Sequence, residues 1–332
     1  MTGIELDPRE YWEFLSGHAE LVEERGWVLP DRLLATPSID PRLKIAARMA
    51  AGVRLEFETD ATEFHWQVRA DAPADSSRAP SPFDIVVDGN LHTRAAITGD
   101  GVVSTGELLP GNKKIRIWLP QYGHVRLGRL RLTGASEVTE IPRGPRWIAY
   151  GSSITHCTGA DGPSETWPAL VAAEHGLSLR SLGFAGECQL DPPVARFIRD
   201  AGAEVISLGV GVNIHGAASF SARTLRPALE GFVDTIREGH PDTPILLVTP
   251  TFAPEREQAP NAAGLTLAEV RAEVAAVGER DDLHVVDGLT VLGPADAHLL
   301  VDKLHPGPDG YRLIARRLAP HVAALLPVKE NA

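Results

Sequence analysis

The sequence predicts two folds in one chain. An antiparallel β-sandwich is expected over residues 1–140, and an α/β domain with a parallel five-stranded sheet over residues 145–332. Three observations carry this. Up to about Thr133, apolar and polar residues alternate with period two in short runs broken by turn residues. Beyond Arg146, short apolar runs alternate with longer helical stretches, the grammar of a parallel sheet covered by helices on both faces. Between them, Thr139–Arg146 holds two prolines, a glycine and several charges, and reads as a linker.

Each element has its own reason. Asp7-Pro8-Arg9-Glu10 supplies an N-cap and a proline at the first helical position, so a short helix opens the chain. Strands follow where Val53/Leu55/Phe57, Phe64/Trp66/Val68 and Ile115/Ile117/Leu119 alternate with other residues. Ala72–Ser77 begins a polar, proline-containing loop, and Asp88-Gly89 is a hairpin turn between Ile85–Val87 and Leu91–Thr93. Val125 and Leu127 share one phase and Leu130 and Leu132 the other, so Gly128 marks a bulge. In the second half, strands are expected at Trp147–Tyr150, Leu177–Leu182, Val205–Leu208, Ile245–Val248 and Leu283–Val286. Helices are expected from about Ser164, over Thr266–Val277, and over about Pro308–Leu325. There is no internal repeat.

Composition narrows the function classes. Apolar content of 43% and charged content of 23% are those of a soluble globular protein. A net charge of -12 disfavours nucleic acid and anionic membrane surfaces as partners, because both reward basic patches. No stretch is long and apolar enough to span a bilayer. Met1–Asp7 lacks the basic start and apolar core of a secretory signal, and two cysteines make no disulfide framework, so the expected compartment is the cytoplasm.

Five residues of the second domain suggest chemistry. Ser153 follows the first strand in Gly151-Ser152-Ser153-Ile154, Gly186 follows the second, and Asn213 the third. Asp302 and His305 lie in the long loop after the fifth, in Asp302-Lys303-Leu304-His305-Pro306. All therefore project from the carboxyl edge of one parallel sheet, where such sheets bind ligands. A serine hydroxyl is a weak nucleophile until a base takes its proton. His305 is suited to that task if held in one tautomer, and Asp302, three residues earlier, can accept the other ring N–H. Backbone N–H groups of Ser153 and Gly186 and the Asn213 side-chain amide are suited to receive the oxyanion. Losing one such donor typically costs about 3–4 kcal/mol of barrier. Taken singly, Ser153 also fits a helix cap, Asn213 a turn, and Asp302 and His305 an ordinary loop.

These residues, in this order, resemble the blocks of the SGNH/GDSL hydrolase family. Gly151-Ser152-Ser153-Ile154 is similar to its Gly-Asp-Ser-Leu block, Gly186 and Asn213 match its second-block glycine and third-block asparagine, and Asp302 and His305 its final Asp-x-x-His. The likeness covers about residues 145–325. Ser152 stands in place of the usual Asp, Ile214 in place of the Asp that often follows the asparagine, and Ser181 where Asn is frequent. Ala51–Phe57 is similar to the sandwich that precedes the hydrolase domain in some branches, among them carbohydrate deacetylases and acyltransferases acting on natural-product hydroxyls. The resemblance implies a flavodoxin-like three-layer α/β/α domain behind a jelly-roll-like, carbohydrate-binding-module-like sandwich. It implies no required cofactor or metal, and a catalytic Ser153, His305 and Asp302 with Ser153, Gly186 and Asn213 as the oxyanion hole. The expected activity is that of a serine esterase cleaving a small acyl ester, acetyl-like, from a sugar or other polyol. The alternative is an acyltransferase using the same acyl-enzyme, and the third reading is a non-catalytic binding protein. The expected partner is a small-molecule ester, carbohydrate or natural product.

Other residues fit plainer roles. Gly209-Val210-Gly211 hints at dinucleotide binding, but Ile214 stands where the third glycine belongs, so a tight turn is the expectation. Ser153 lies outside any Gly-x-Ser-x-Gly elbow, because Thr155 holds the last position. Cys157 and Cys188 are read as buried thiols or pocket wall, His156 and His215 as substrate contacts or locally bonded imidazoles. Trp66 and Trp118 are read as sandwich core or a sugar-stacking surface.

Overall fold

The computed structural model describes residues 3–74 and 76–327. Of the sequence expectations, those on Met1 and Thr2, on Asp75 within the polar loop, and on residues 328–332 lie outside the described residues. Two compact units are formed. One takes the chain up to Leu34, Lys44–Arg143 and Asp161–Ser164; the other takes Ala35–Leu43, Gly144–Ala160 and the chain from Glu165 onward.

The first unit holds two six-stranded antiparallel sheets. One runs Glu20–Glu24, Trp27–Asp31, His124–Thr133, Glu63–Asp71, Gly99–Ser104, with Gly3–Leu6 added on His124–Thr133. The other runs Val138–Glu140, Arg54–Thr59, Lys113–Trp118, Phe83–Val87, Asn90–Ala95, with Leu15–Ser16 added on Arg54–Thr59. The alternating residues meet as expected: Leu55, Phe57, Phe64, Trp66, Val68, Ile115, Ile117 and Leu119 share one core. Each such side chain taken from water contributes about 1.5–3 kcal/mol. The register of His124–Thr133 on Glu63–Asp71 shifts between Leu127 and Leu130, so Val125, Leu127, Leu130 and Leu132 all reach that core despite their opposite phases. Asp88 and Gly89 both take positive φ, 48° and 83°, and close the hairpin.

The two tryptophans part ways. Trp66 is fully buried and donates from its indole Nε1 to the Tyr11 hydroxyl at 3.2 Å. Trp118 is buried but stands outside the core cluster, with the Arg54 guanidinium 5.2 Å above its ring. The segment Asp161–Ser164 joins this unit through Asp84, whose fully buried carboxylate accepts from Arg94 Nε at 3.0 Å and from Ser164 N and Oγ at 3.1 and 2.6 Å.

The second unit is built on five parallel strands in the order Ser178–Gly183, Arg146–Gly151, Val205–Gly209, Ile245–Val248, His284–Val286. Helices Pro192–Asp200, Ala222–Arg237 and Leu267–Val277 pack as one row, while Trp167–His175 and Pro308–Ala323 pack on each other, giving three layers. Thr266 caps Leu267–Val277 through a reciprocal box with Glu269. The helix expected from Ser164 begins instead as a 3-10 turn, Pro163–Glu165, and becomes α-helical only at Trp167, after the Thr166 cap. In this strand order the direction of winding reverses beside Arg146–Gly151, the place where open parallel sheets bind ligands.

Candidate active site

Ser153 stands at the end of the Arg146–Gly151 strand, which is hydrogen-bonded on both sides. Ser152 turns the chain with extended backbone, and its hydroxyl accepts from Ile154 N at 3.2 Å, capping the single-turn helix Ser153–His156. Cys157, at φ 55°, ends that turn. The helix folds back close over the sheet, and a row of glycines makes room for it. Gly151 is in register with Gly183 on one neighbour and Gly209 on the other. A Cβ on Gly183 would lie 2.3 Å from His156 N, and one on Gly151 would lie 2.2 Å from Thr155 Oγ1. Trp167 Nε1 donates to Ile154 O at 2.9 Å from below. Behind the helix, Ser152, Ile154 and Thr155 line a narrow, mostly apolar pocket shared with Trp167, Ile314 and Leu318.

Asp302 and His305 lie on a loop closed by a bridge between Leu300 and Pro306. Val301 N donates to His305 O at 2.9 Å and Gly307 N to Leu299 O at 2.8 Å. Asp302 Oδ1 accepts from His305 N at 2.7 Å and Leu304 N at 3.1 Å, while Oδ2 takes the His305 Nδ1 proton across 2.7 Å. That bond fixes the tautomer and leaves Nε2 as an acceptor for the Ser153 hydroxyl, 2.9 Å away. Partial burial pushes the Asp302 carboxyl up, but the His305 backbone N–H, the imidazole and the Leu304 N–H outweigh it and hold the carboxyl below its ordinary range.

Gly186 and Asn213 stand at the ends of the neighbouring strands. Gly186 takes φ 81°, and a Cβ there would meet nothing within 4 Å, so backbone conformation rather than crowding calls for glycine. Asn213 lies in the short helix Val212–Ala217, which starts after Gly211 at φ 114°. This is the tight turn expected of Gly209-Val210-Gly211. The Asn213 amide oxygen accepts from Cys188 N at 3.2 Å, which commits the NH2 end to donate elsewhere. The two segments are tied by Gln189, whose Nε2 donates to Gly186 O at 3.1 Å and Asn213 O at 3.2 Å.

Ser153, His305 and Asp302 are thus joined by direct hydrogen bonds, and Gly186 and Asn213 are joined through Gln189. The flanking residues prove to be locally bonded. His156 is fully buried and its Nδ1 accepts from Ala185 N at 3.2 Å. His215 Nε2 meets Ala259 O at 3.2 Å, and burial pushes its imidazole below the ordinary range. Cys157 and Cys188 are buried; burial pushes the Cys188 thiol up to about 12 and the Cys157 thiol well above its usual value, so neither is a ready thiolate. Among the described residues no cluster of three or more His, Cys, Asp or Glu side chains is arranged to hold a metal ion, and no helix is long and apolar enough to cross a membrane. Neither Gln189 nor the glycine row stands out in the sequence reading. The row has a signal of its own: three strands end alike, in Tyr150-Gly151, Leu182-Gly183 and Leu208-Gly209.

A parallel sheet ordered in this way, with Ser153, His305 and Asp302 hydrogen-bonded in line at its carboxyl edge, has the architecture of an SGNH-type α/β/α domain. Residues 149–313 match the GDSL-like Lipase/Acylhydrolase family. The whole fold is similar to the Salicylyl-Acyltransferase SsfX3 from a Tetracycline Biosynthetic Pathway, at 31% identity over 97% of each chain and a TM-score of 0.88. The chain belongs to the GDSL-like lipase/acylhydrolase (SGNH) family, in its two-domain form with N-terminal antiparallel sheets. Two family two carbohydrate esterases share the fold. That from Cellvibrio japonicus is 14% identical over 98% of each chain, with a TM-score of 0.68. That from Clostridium thermocellum, in complex with cellohexaose, is 15% identical over 82% of this chain and 92% of its own, with a TM-score of 0.65. No curated protein sequence matches the chain.

Proposed function

We propose that the protein is a serine acyltransferase that carries an acyl group as an ester on Ser153 and delivers it to a hydroxyl of an organic acceptor. The observation that carries the acyl-enzyme is the unbroken chain from Ser153 Oγ to His305 Nε2 at 2.9 Å and from His305 Nδ1 to Asp302 Oδ2 at 2.7 Å. His305 Nε2 takes the hydroxyl proton as Oγ bonds to the acyl carbon. The former carbonyl oxygen becomes an oxyanion, met by the N–H groups of Ser153 and Gly186 and the Asn213 amide. Collapse expels the leaving group, which receives the proton from His305. His305 then deprotonates the acceptor hydroxyl, which attacks the ester carbon; the Oγ–acyl bond breaks and Ser153 Oγ takes the proton back from His305. Asp302 stays ionised throughout and stabilises the imidazolium.

Transfer is favoured by the full-length likeness to an acyltransferase named for a salicylyl group, at 31% identity. By that analogy the acyl group is an aryl carboxylate and the acceptor a natural product. The second reading is hydrolysis of the same acyl-enzyme, releasing a small acid from a sugar or polyol ester. The likeness to carbohydrate esterases favours it, but at 14–15% identity that likeness speaks for the fold alone. Water and acceptor compete for one intermediate, so the two readings differ in what reaches the ester bond.

The test has two stages. A fluorophosphonate probe should modify the protein at Ser153, mapped by mass spectrometry, and leave Ser153→Ala unmodified. Equal labelling of that variant would sink the assignment. A 4-nitrophenyl salicylate or acetate donor, given with and without a polyhydroxylated aromatic acceptor, then separates the readings. Acylated acceptor formed at the expense of free acid supports transfer, and free acid alone supports hydrolysis.

A further inference from the structure

We propose that Gln189 is a positioning residue for the oxyanion hole, setting Gly186 and Asn213 at one fixed separation. The inference rests on the acyl-enzyme reading above. Gln189 follows the Gly186 segment, and its side chain makes three bonds. Nε2 donates to the carbonyls of Gly186 and Asn213, at 3.1 and 3.2 Å, and Oε1 accepts from the Ser219 hydroxyl at 2.6 Å. The amide cannot be flipped without loss. Both backbone partners are carbonyls, which only accept, so the NH2 end must face them.

Consider what this does to each proposed donor. The peptide whose N–H belongs to Gly186 is pinned on both sides. Before it, Ala185 N donates to His156 Nδ1 at 3.2 Å; after it, the Gly186 carbonyl is held by Gln189. A glycine at φ 81° has wide backbone freedom, and no side chain of its own restrains it, so an external tether is needed to hold one orientation. Asn213 is pinned twice as well: its carbonyl by Gln189 and its amide oxygen by Cys188 N at 3.2 Å. Residues 186–189 and Asn213 therefore form one unit, closed by the Cys188 N–H on the Asn213 amide oxygen and by the Gln189 amide on two carbonyls. Ser219, just past the C-terminal end of the Asn213 helix, locks that amide from the other side. Oxyanion stabilisation depends on donors held in place before charge develops, so a loosened tether should act on the chemical step rather than on substrate binding.

The measurement is 4-nitrophenyl acetate turnover together with the rate of fluorophosphonate labelling at Ser153, in wild type, Gln189→Ala and Gln189→Glu, with thermal melting of each. Gln189→Ala should lower kcat and the labelling rate by about 10–100-fold, with KM moved by less than about threefold. Gln189→Glu offers a carboxylate to two carbonyl oxygens. It should be slower still near neutral pH, and its rate relative to wild type should rise as the pH falls and the side chain regains an O–H donor. A merely structural glutamine would lower the melting temperature and leave kcat, KM and this pH ratio unmoved. That result, or folded variants turning over like wild type, overturns the proposal. The parent reading fails differently: wild type would then take no label at Ser153, or Ser153→Ala would keep its activity, and the inference would fall with it.

Discussion

The two ends of the Ser153–His305–Asp302 chain are held in opposite ways. Ser153 is 6% exposed and is fixed by tertiary packing: a central strand, a glycine row in three strands and an indole bond from Trp167. Asp302 and His305 keep side-chain exposures of 54% and 35%, and are fixed by their own neighbours within six residues. The nucleophile end resists small polar changes and is sensitive to any added volume. The acid–base end tolerates volume and is sensitive to the loss of one hydrogen-bonding atom.

The sharpest way to break this contrast is Asp302→Asn. The change is nearly isosteric, yet the carboxamide offers one acceptor oxygen where three donors now converge, and its NH2 end favours the wrong imidazole tautomer. We expect kcat to fall by about 10²–10⁴-fold with the fold intact, read by steady-state turnover and circular dichroism. A loss below about threefold would mean that the loop backbone alone orients His305. The same variant carries a pH signature. Because the Asp302 pKa is lowered on folding, its contribution to stability is present above the unfolded value, about 3.9, and is lost as pH falls through the lower folded value. The melting-temperature gap between wild type and Asp302→Asn should therefore shrink as the pH drops below that region. A gap that widened in acid would contradict the sign of the shift.

At the other end the effect should come from volume. Gly183→Ala adds one methyl group 2.3 Å from His156 N, against backbone that has nowhere to go. Overpacking of this kind costs about 1–3 kcal/mol, read from the denaturation midpoint, and should slow Ser153 labelling because the displaced turn carries the nucleophile. Gly186→Ala is the control: it meets no atom, and its cost is the positive φ alone. If Gly183→Ala proves no more destabilising than Gly186→Ala, the close approach of the nucleophile turn is not what holds Ser153.

The same division explains what the sequence made legible. Asp302 and His305 were readable because their partnership is local, three residues apart, and the hairpin at Asp88-Gly89 and the bulge at Gly128 were readable for the same reason. The strand–helix alternation put Ser153, Gly186 and Asn213 at one sheet edge because the side on which a parallel strand ends follows from chain direction alone. Strand order, by contrast, is a matter of long-range pairing. Gln189 was not legible: nothing around it in sequence announces that its amide reaches a carbonyl 24 residues away. Trp118 is buried, as its place in an alternating strand predicts, but the Arg54 guanidinium over its ring has no signal in that alternation. The segment Asp161–Ser164 is likewise invisible to composition, because the buried Asp84 carboxylate holds it in the first unit.

The smallest expected effect is the most direct probe of how the exposed end is held. Lys303 sits between Asp302 and His305 at φ 63° and pairs with Glu255, both side chains about two-thirds exposed. An ion pair so open to solvent is weakened by hydration and salt, and holding two long side chains together costs conformational entropy. If the loop is fixed by its backbone bonds and the Asp302 carboxylate, Lys303→Ala should change kcat by no more than about twofold, and added salt should erase even that. The substitution keeps a Cβ at the same backbone conformation, so it removes the pair without relieving the positive φ. A loss approaching that of Asp302→Asn would mean that Glu255, from a distant loop, helps hold the base. The acid–base end would then depend on tertiary contacts as much as the nucleophile end does.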